Sequence, residues 1–127
     1  MKRCVVVEEA GLVRDVTCAV LDELTFKTVG VDNAQKALEL IDQAAIDLVL
    51  LDWDLPDLGA LDVLTGLASM PDETRPRVLI MATACDPKQL RLAREAGVAD
   101  CLSKPLDTGA LRQIVEDLPL PSSERAA

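Results

Sequence analysis

Leu48-Val49-Leu50-Leu51-Asp52-Trp53-Asp54-Leu55-Pro56 decides the fold class of this chain. Its four opening residues are apolar without alternation, which predicts a short strand buried on both faces. The run stops at an acid, and Pro56 turns the chain away from the sheet. A strand covered on both faces requires helices above and below it. Working outward, Arg3 to Val7, Phe26 to Val31, Arg77 to Ala82 and Val98 to Ser103 read as further strands.

Helical patterns fill the intervals. From Ala10, the residues Leu12, Val16, Val20 and Leu24 recur every fourth position and predict one helix face. Asp32 followed by Gln35 predicts a capping box, with Ala34, Ala37, Leu38 and Ile41 as the stripe behind it. Leu61, Leu64, Leu67 and Ala68 mark a third helix. Asp86-Pro87-Lys88-Gln89 opens a fourth, with an Asp cap, proline at the first position and Gln closing the box, and this helix ends near Gly97. Asp107 caps a fifth carrying Leu111, Ile114, Val115 and Leu118, stopped by Pro119. Residues 1–118 read as one domain, and 119–127 as a frayed C-terminal tail too short to be an output domain. Strands alternating with helices imply an α/β fold with a parallel sheet covered on both faces. Sites in such sheets form beyond the carboxyl ends of the strands.

Composition narrows the function. The chain has 127 residues, enough for one core and too few for two. Trp53 and Phe26 are its only aromatics, so the core is aliphatic. Thirteen Lys and Arg against 22 Asp and Glu give a net charge of -9, which repels nucleic acid and anionic lipid. No segment reads as a signal peptide or a membrane span, so a cytoplasmic protein is expected. The absence of histidine removes Ser-His and Cys-His nucleophile chemistry. Cys4, Cys18, Cys85 and Cys101 form no C-x-x-C pair and read as reduced thiols, with Cys85 and Cys101 as small apolar fillers.

The residues just past each strand carry the chemistry. Glu8 and Glu9 follow the first strand, Asp52 and Asp54 the third, Thr83 the fourth and Lys104-Pro105 the fifth. A parallel sheet brings all of them to one edge. Two carboxylates about 4 Å apart repel by roughly 4 kcal/mol at an effective dielectric of 20. A hard divalent cation such as Mg²⁺, keeping several waters, relieves that repulsion in a shallow site. With Lys104 it creates an electropositive spot beside Asp52, suited to a phosphoryl group whose charge lies on three oxygens. Asp52 can then act as a nucleophile.

The chain resembles the response-regulator receiver family over residues 2–118, in particular its single-domain, CheY-like members. The resemblance is carried by Val5-Val6-Val7-Glu8-Glu9, Leu50 to Pro56, Ala82-Thr83-Ala84 and Ser103-Lys104-Pro105, in the family's order and spacing. It implies a flavodoxin-like five-stranded sheet of order 2-1-3-4-5. It implies Asp52 as phosphoacceptor, Glu9 as a direct Mg²⁺ contact, Glu8 acting through water, and the Asp54 main-chain carbonyl on the metal. Thr83 would be the hydroxyl that moves to the phosphoryl oxygen and Lys104 its ammonium partner, with a cis peptide before Pro105. It implies a histidine kinase or phosphotransfer protein as donor, and a downstream protein met by helix four, strand five and helix five. The chain is then a signalling switch, not an enzyme, catalysing only its own phosphorylation and dephosphorylation.

Departures from the family pattern are specific. Both members of the acidic pair are Glu. The loop after Pro56 reads Leu58-Gly59-Ala60 where Met-Asp-Gly is common. Cys101 stands where a strand-five aromatic usually swings inward with the threonine. These leave a pseudo-receiver, an unphosphorylated docking module, as the alternative. Leu51-Asp52-Trp53-Asp54 also resembles the Asp-x-Asp element of haloacid-dehalogenase-like phosphatases, but on the third strand instead of the first.

Overall fold

The computed structural model describes residues 2–120. Strands β1 (Arg3–Val7), β2 (Lys27–Val31), β3 (Leu48–Asp52), β4 (Arg77–Ala82) and β5 (Val98–Ser103) alternate with helices α1 (Gly11–Glu23), α2 (Ala34–Gln43), α3 (Gly59–Ala68), α4 (Pro87–Glu95) and α5 (Thr108–Asp117). All strand pairs are parallel and the order is β2-β1-β3-β4-β5, the flavodoxin-like arrangement. Apart from Arg3, Asp52 and Arg77 at their ends, the central strands β1, β3 and β4 are apolar because they are covered on both faces. Val5, Val7, Val49, Leu51 and Ile80 face a layer of α2, α3 and α4. Cys4, Val6, Leu48, Leu50, Leu79 and Met81 face α1 and α5.

Several local expectations change. Leu12 is 79% and Val16 43% exposed, whereas Thr17, Val20 and Leu21 form the buried face of α1. A helix turns once every 3.6 residues, so a strict fourth-residue line drifts by about 40° per step and winds off the core. Thr17 is tolerated inside because its hydroxyl donates to the Val13 carbonyl at 2.7 Å. In α3, Leu61 and Ala68 are exposed and Val63 is buried with Leu64 and Leu67. The phase of α3 is set by the turn at Pro56–Leu58, where Asp57 and Leu58 both take left-handed backbone angles.

The N-cap of α2 is Asn33, not Asp32: its side chain accepts from the Lys36 N–H at 2.9 Å. Asp32 follows β2 directly, one residue too early for the cap, and pairs with Lys36 Nζ at 3.1 Å instead. Gln35 reaches forward to Glu39 rather than back. Asp86 caps α4 through the Lys88 N–H, and Asp107 caps α5 through Gly109 and Ala110. The box-closing role expected of the Gln89 side chain lies outside the described residues. Gly97 ends α4 with a φ of 102°, a backbone angle that side chains resist.

The expected fraying does not begin at Pro119. Leu120 is buried against the α1 and α5 layer, and the Pro119 carbonyl accepts from Arg77 Nε at 3.0 Å. The remaining tail residues, 121–127, lie outside the described ones.

The cysteines also depart from expectation. Cys85 and Cys101 form a disulfide across a Cα–Cα distance of 6.4 Å, while Cys4 and Cys18 are free thiols. The two bonded residues are 16 apart in sequence, with no spacing signature. They meet because β4 and β5 are parallel neighbours, so the segment leaving β4 passes over the body of β5.

Candidate functional site

The carboxyl ends of β1, β3 and β5 deliver Glu8, Asp52 and Lys104 to one point. Lys104 Nζ donates to Asp52 Oδ1 at 2.7 Å. It also lies 3.5 Å from Glu8 Oε2 and 3.8 Å from Asp54 Oδ2, so three carboxylates surround one ammonium. Asp52 and Glu8 are almost fully buried, at 3% and 2% exposure. The Lys104–Pro105 peptide is cis, as the resemblance implied.

Each position has a backbone cause. Asp52 closes β3 opposite Met81, and its Oδ1 also accepts the Asp54 N–H at 2.9 Å, so the loop folds around the acid. The Lys104 N–H donates to the Ala82 carbonyl at 2.9 Å, prolonging the β4–β5 ladder by one bond. The Glu8 N–H donates to the Val31 carbonyl at 3.0 Å, prolonging the β1–β2 ladder likewise.

Arg14, absent from the sequence reading, holds the β1–α1 turn. Its guanidinium donates to the Glu8 and Glu9 carbonyls at 2.8 and 3.4 Å. Gly30 makes room for it: a Cβ there would sit 2.9 Å from Arg14 Cγ. A guanidinium in the first turn of a helix, four residues in, reads as solvated surface from sequence. Only the turn geometry reveals its role.

Glu8 and Glu9 separate. Glu8 turns inward to Lys104, whereas Glu9 is exposed and its carboxylate has no partner among the described residues. Thr83 does not touch Asp52. Its hydroxyl and its N–H both donate to Asp54 Oδ2, at 2.9 and 3.1 Å. The Asp54 side chain, expected only as one of the carboxylates at the strand ends, thereby parks the threonine. Trp53 is half-buried and lines a small hollow with Cys85 and Cys101.

The electrostatics follow. Burial, then the adjoining Asp52 carboxyl, raises the Glu8 pKa from 4.5 to about 7, with Lys104 pulling the other way. Burial works against the Lys104 ammonium, but its bond to Asp52 and the charges of Asp52, Glu8 and Asp54 outweigh it and raise its pKa. Glu8 Oε2 stands at ion-pair distance from Lys104 yet has no hydrogen-bond partner. A buried carboxylate oxygen left in this way, beside further carboxylates and no imidazole, fits a hard oxygen-seeking cation. Among the described residues no three acids already converge to hold an ion; Lys104 stands between them.

A carboxyl with a raised folded pKa binds its proton more tightly folded than unfolded. Its contribution to stability is complete below about pH 4.5 and is lost as pH rises through about 7. In chelator, unfolding free energy from urea titration is therefore expected to fall between about pH 5 and pH 8, by up to about 3 kcal/mol from this group. Glu8→Gln should remove most of that slope and be the more stable protein at the alkaline end. A slope unchanged in Glu8→Gln would assign it to other groups.

Comparison with known proteins points to one family and one fold. Residues 4–116 match the family described as Response regulator receiver domain. The chain is 27% identical over 111 residues to the CAI-1 autoinducer sensor kinase/phosphatase CqsS of Vibrio cholerae, covering 87% of this chain and 16% of that protein. It is 30% identical over 105 residues to the phosphate regulon transcriptional regulatory protein PhoB of Escherichia coli, covering 82% of this chain and 45% of that protein. The chain thus spans less than half the length of these relatives. The receiver domain of the Francisella response regulator 1452 shares the fold, with a TM-score of 0.83, 20% identity and 100% coverage of both chains.

Proposed function

The chain belongs to the response regulator receiver family, and from that premise we propose that it accepts a phosphoryl group on Asp52 and changes protein contacts as a result. As a receiver domain it is a signalling module of two-component systems, not an enzyme acting on an outside substrate. The observation that carries the reading is the buried Asp52 carboxylate held at 2.7 Å by Lys104, among Glu8 and Asp54.

Two donors engage Asp52 Oδ1, so we assign the attack on phosphorus to Oδ2. The new O–P bond forms as the bond to the donor's leaving group breaks, and that group takes the electron pair. Lys104 then donates to a phosphoryl oxygen while still anchored to Asp52. Thr83 leaves Asp54 and donates its hydroxyl to a second phosphoryl oxygen, drawing the β4–α4 segment inward. Glu8, Glu9, Asp52 and the Asp54 main-chain carbonyl would hold Mg²⁺, which receivers of this family typically bind. When bound, it supplies neutralisation of the charge on the phosphoryl oxygens.

Receivers work with histidine kinases, and the donor here is read as a histidine kinase or a phosphotransfer protein. The downstream partner is read as a protein meeting the face of α4, β5 and α5. No helix among the described residues is long and apolar enough to cross a membrane.

The test is intact mass after incubation with acetyl phosphate and Mg²⁺. One phosphoryl adduct is expected, absent in Asp52→Ala. The exposed, unengaged Glu9 favours a second reading, a docking module that is never phosphorylated. No adduct, with Trp53 fluorescence unmoved by Mg²⁺, would select it.

A further inference from the structure

We propose that Cys85 and Cys101 are a reversible redox-modification site whose bond fastens the β4–α4 segment to the sheet. Thr83 can then travel from Asp54 to the Asp52 site only in the dithiol state. The consequence for switching rests on the phosphoryl-accepting reading; the redox site itself does not.

The position of the bond carries the inference. Cys85 lies two residues past Thr83, in the segment that must move if Thr83 is to move. Cys101 lies within β5, paired in register with Ile80 of β4. The disulfide therefore ties the mobile element of the mechanism to an immobile one. Little else does. Of α4, Ala93 is buried and Leu90 half-buried, while Arg91, Leu92, Arg94 and Glu95 are exposed. A helix seated on so little apolar area depends on the covalent link at its entry.

The surroundings suit exchange. Cys85 is half-buried between exposed Ala84 and Asp86, so a thiol reagent can reach it from the loop side. Trp53, Ile80, Ala82 and Leu90 enclose a hollow of about 10 Å³ beside both sulfurs, at the limit of room for one water. The other two cysteines are poor competitors. Cys4 is wholly buried, and burial raises the thiol pKa of both Cys4 and Cys18. In reducing compartments, protein disulfides are usually transient and redox-sensing.

The chemistry needs a dithiol reductant and balances with it. A reagent thiolate attacks Cys85 Sγ, forming a mixed disulfide and releasing Cys101 as a thiolate, which takes a proton. The reagent's second thiol displaces Cys85, also protonated, and the reagent leaves as its own disulfide. Two electrons and two protons pass to the protein.

The test uses the full chain, oxidised or held in dithiothreitol. Alkylation in denaturant followed by peptide mapping is expected to label Cys4 and Cys18 alone in the oxidised protein, and all four cysteines after reduction. Amide hydrogen exchange over residues 83–90 is expected to speed by roughly tenfold or more on reduction. Cys85→Ser, and separately Cys101→Ser, should exchange at the fast rate in both conditions. With acetyl phosphate and Mg²⁺, a Trp53 fluorescence change is expected in the reduced protein only. Equal exchange in both redox states overturns the proposal, even where an adduct forms. A redox-dependent exchange rate with no adduct in either state supports the site and overturns the phosphoryl reading instead.

Discussion

Lys104→Met is expected to destabilise the metal-free protein by about 3 kcal/mol at neutral pH. The substitution keeps most of the side-chain volume and removes the charge. It leaves the Glu8 and Asp52 side chains, 3% and 5% exposed, facing each other without a counter-ion. Breaking one side of a buried ion pair costs about 3–5 kcal/mol. The lower end applies because the Lys104 side chain is 21% exposed and because the two acids can share a proton. That last point gives the prediction its signature. The loss should shrink as pH falls toward 5, where Glu8, already raised to about 7, is protonated. It should also shrink on adding Mg²⁺. Urea titrations across pH in chelator and in Mg²⁺ measure both trends. A variant as stable as the parent at neutral pH would mean that water already screens the pair. Acceptance of the phosphoryl group should slow by about 10²–10³ fold, the usual effect of removing a placed electrostatic donor.

Leu50→Ala should cost about 3–5 kcal/mol by a different mechanism. Leu50 is fully buried in β3, the middle strand, and packs in the layer beneath α1 and α5. Its neighbours belong to the sheet and to two helices packed on it through Val20, Leu21, Leu111 and Val115. They cannot collapse into the space, so a cavity remains. Leu50 stands two residues before Asp52, yet touches none of the charged groups. Stability and site chemistry should therefore separate. Urea titration is expected to show the full loss, while acetyl phosphate still labels Asp52 well below the unfolding midpoint. Loss of labelling in the folded variant would show that β3 transmits packing defects to its end.

The sheet was legible in the sequence because covered strands are written in one continuous apolar script. The caps at Asp86 and Asp107 were legible because the donors they satisfy lie two or three residues away. Helix faces were harder. The evenly spaced leucine and valine of early α1 point to solvent, and the core is entered by Thr17, whose hydroxyl is satisfied by its own helix. The site divided in the same way. Asp52, Glu8 and Lys104 could be brought together from strand ends alone. Asp54 clasping Thr83, Arg14 bracing the first turn, and Cys85 bonding Cys101 depend on where loops pass, which no local pattern encodes.

The five helices are unequal in how firmly they are held, and α4 is the loosest of them. The α1 and α5 side is nailed down by Leu21, Leu111 and Val115 and tied across by Arg112 and Glu23, whereas α4 rests on Ala93 and a half-sunk Leu90. The molecule thus has a keel and a sail. Substitutions that retune recognition on the α4 side can accumulate with little penalty to folding, while the opposite flank is left as the part that must not drift.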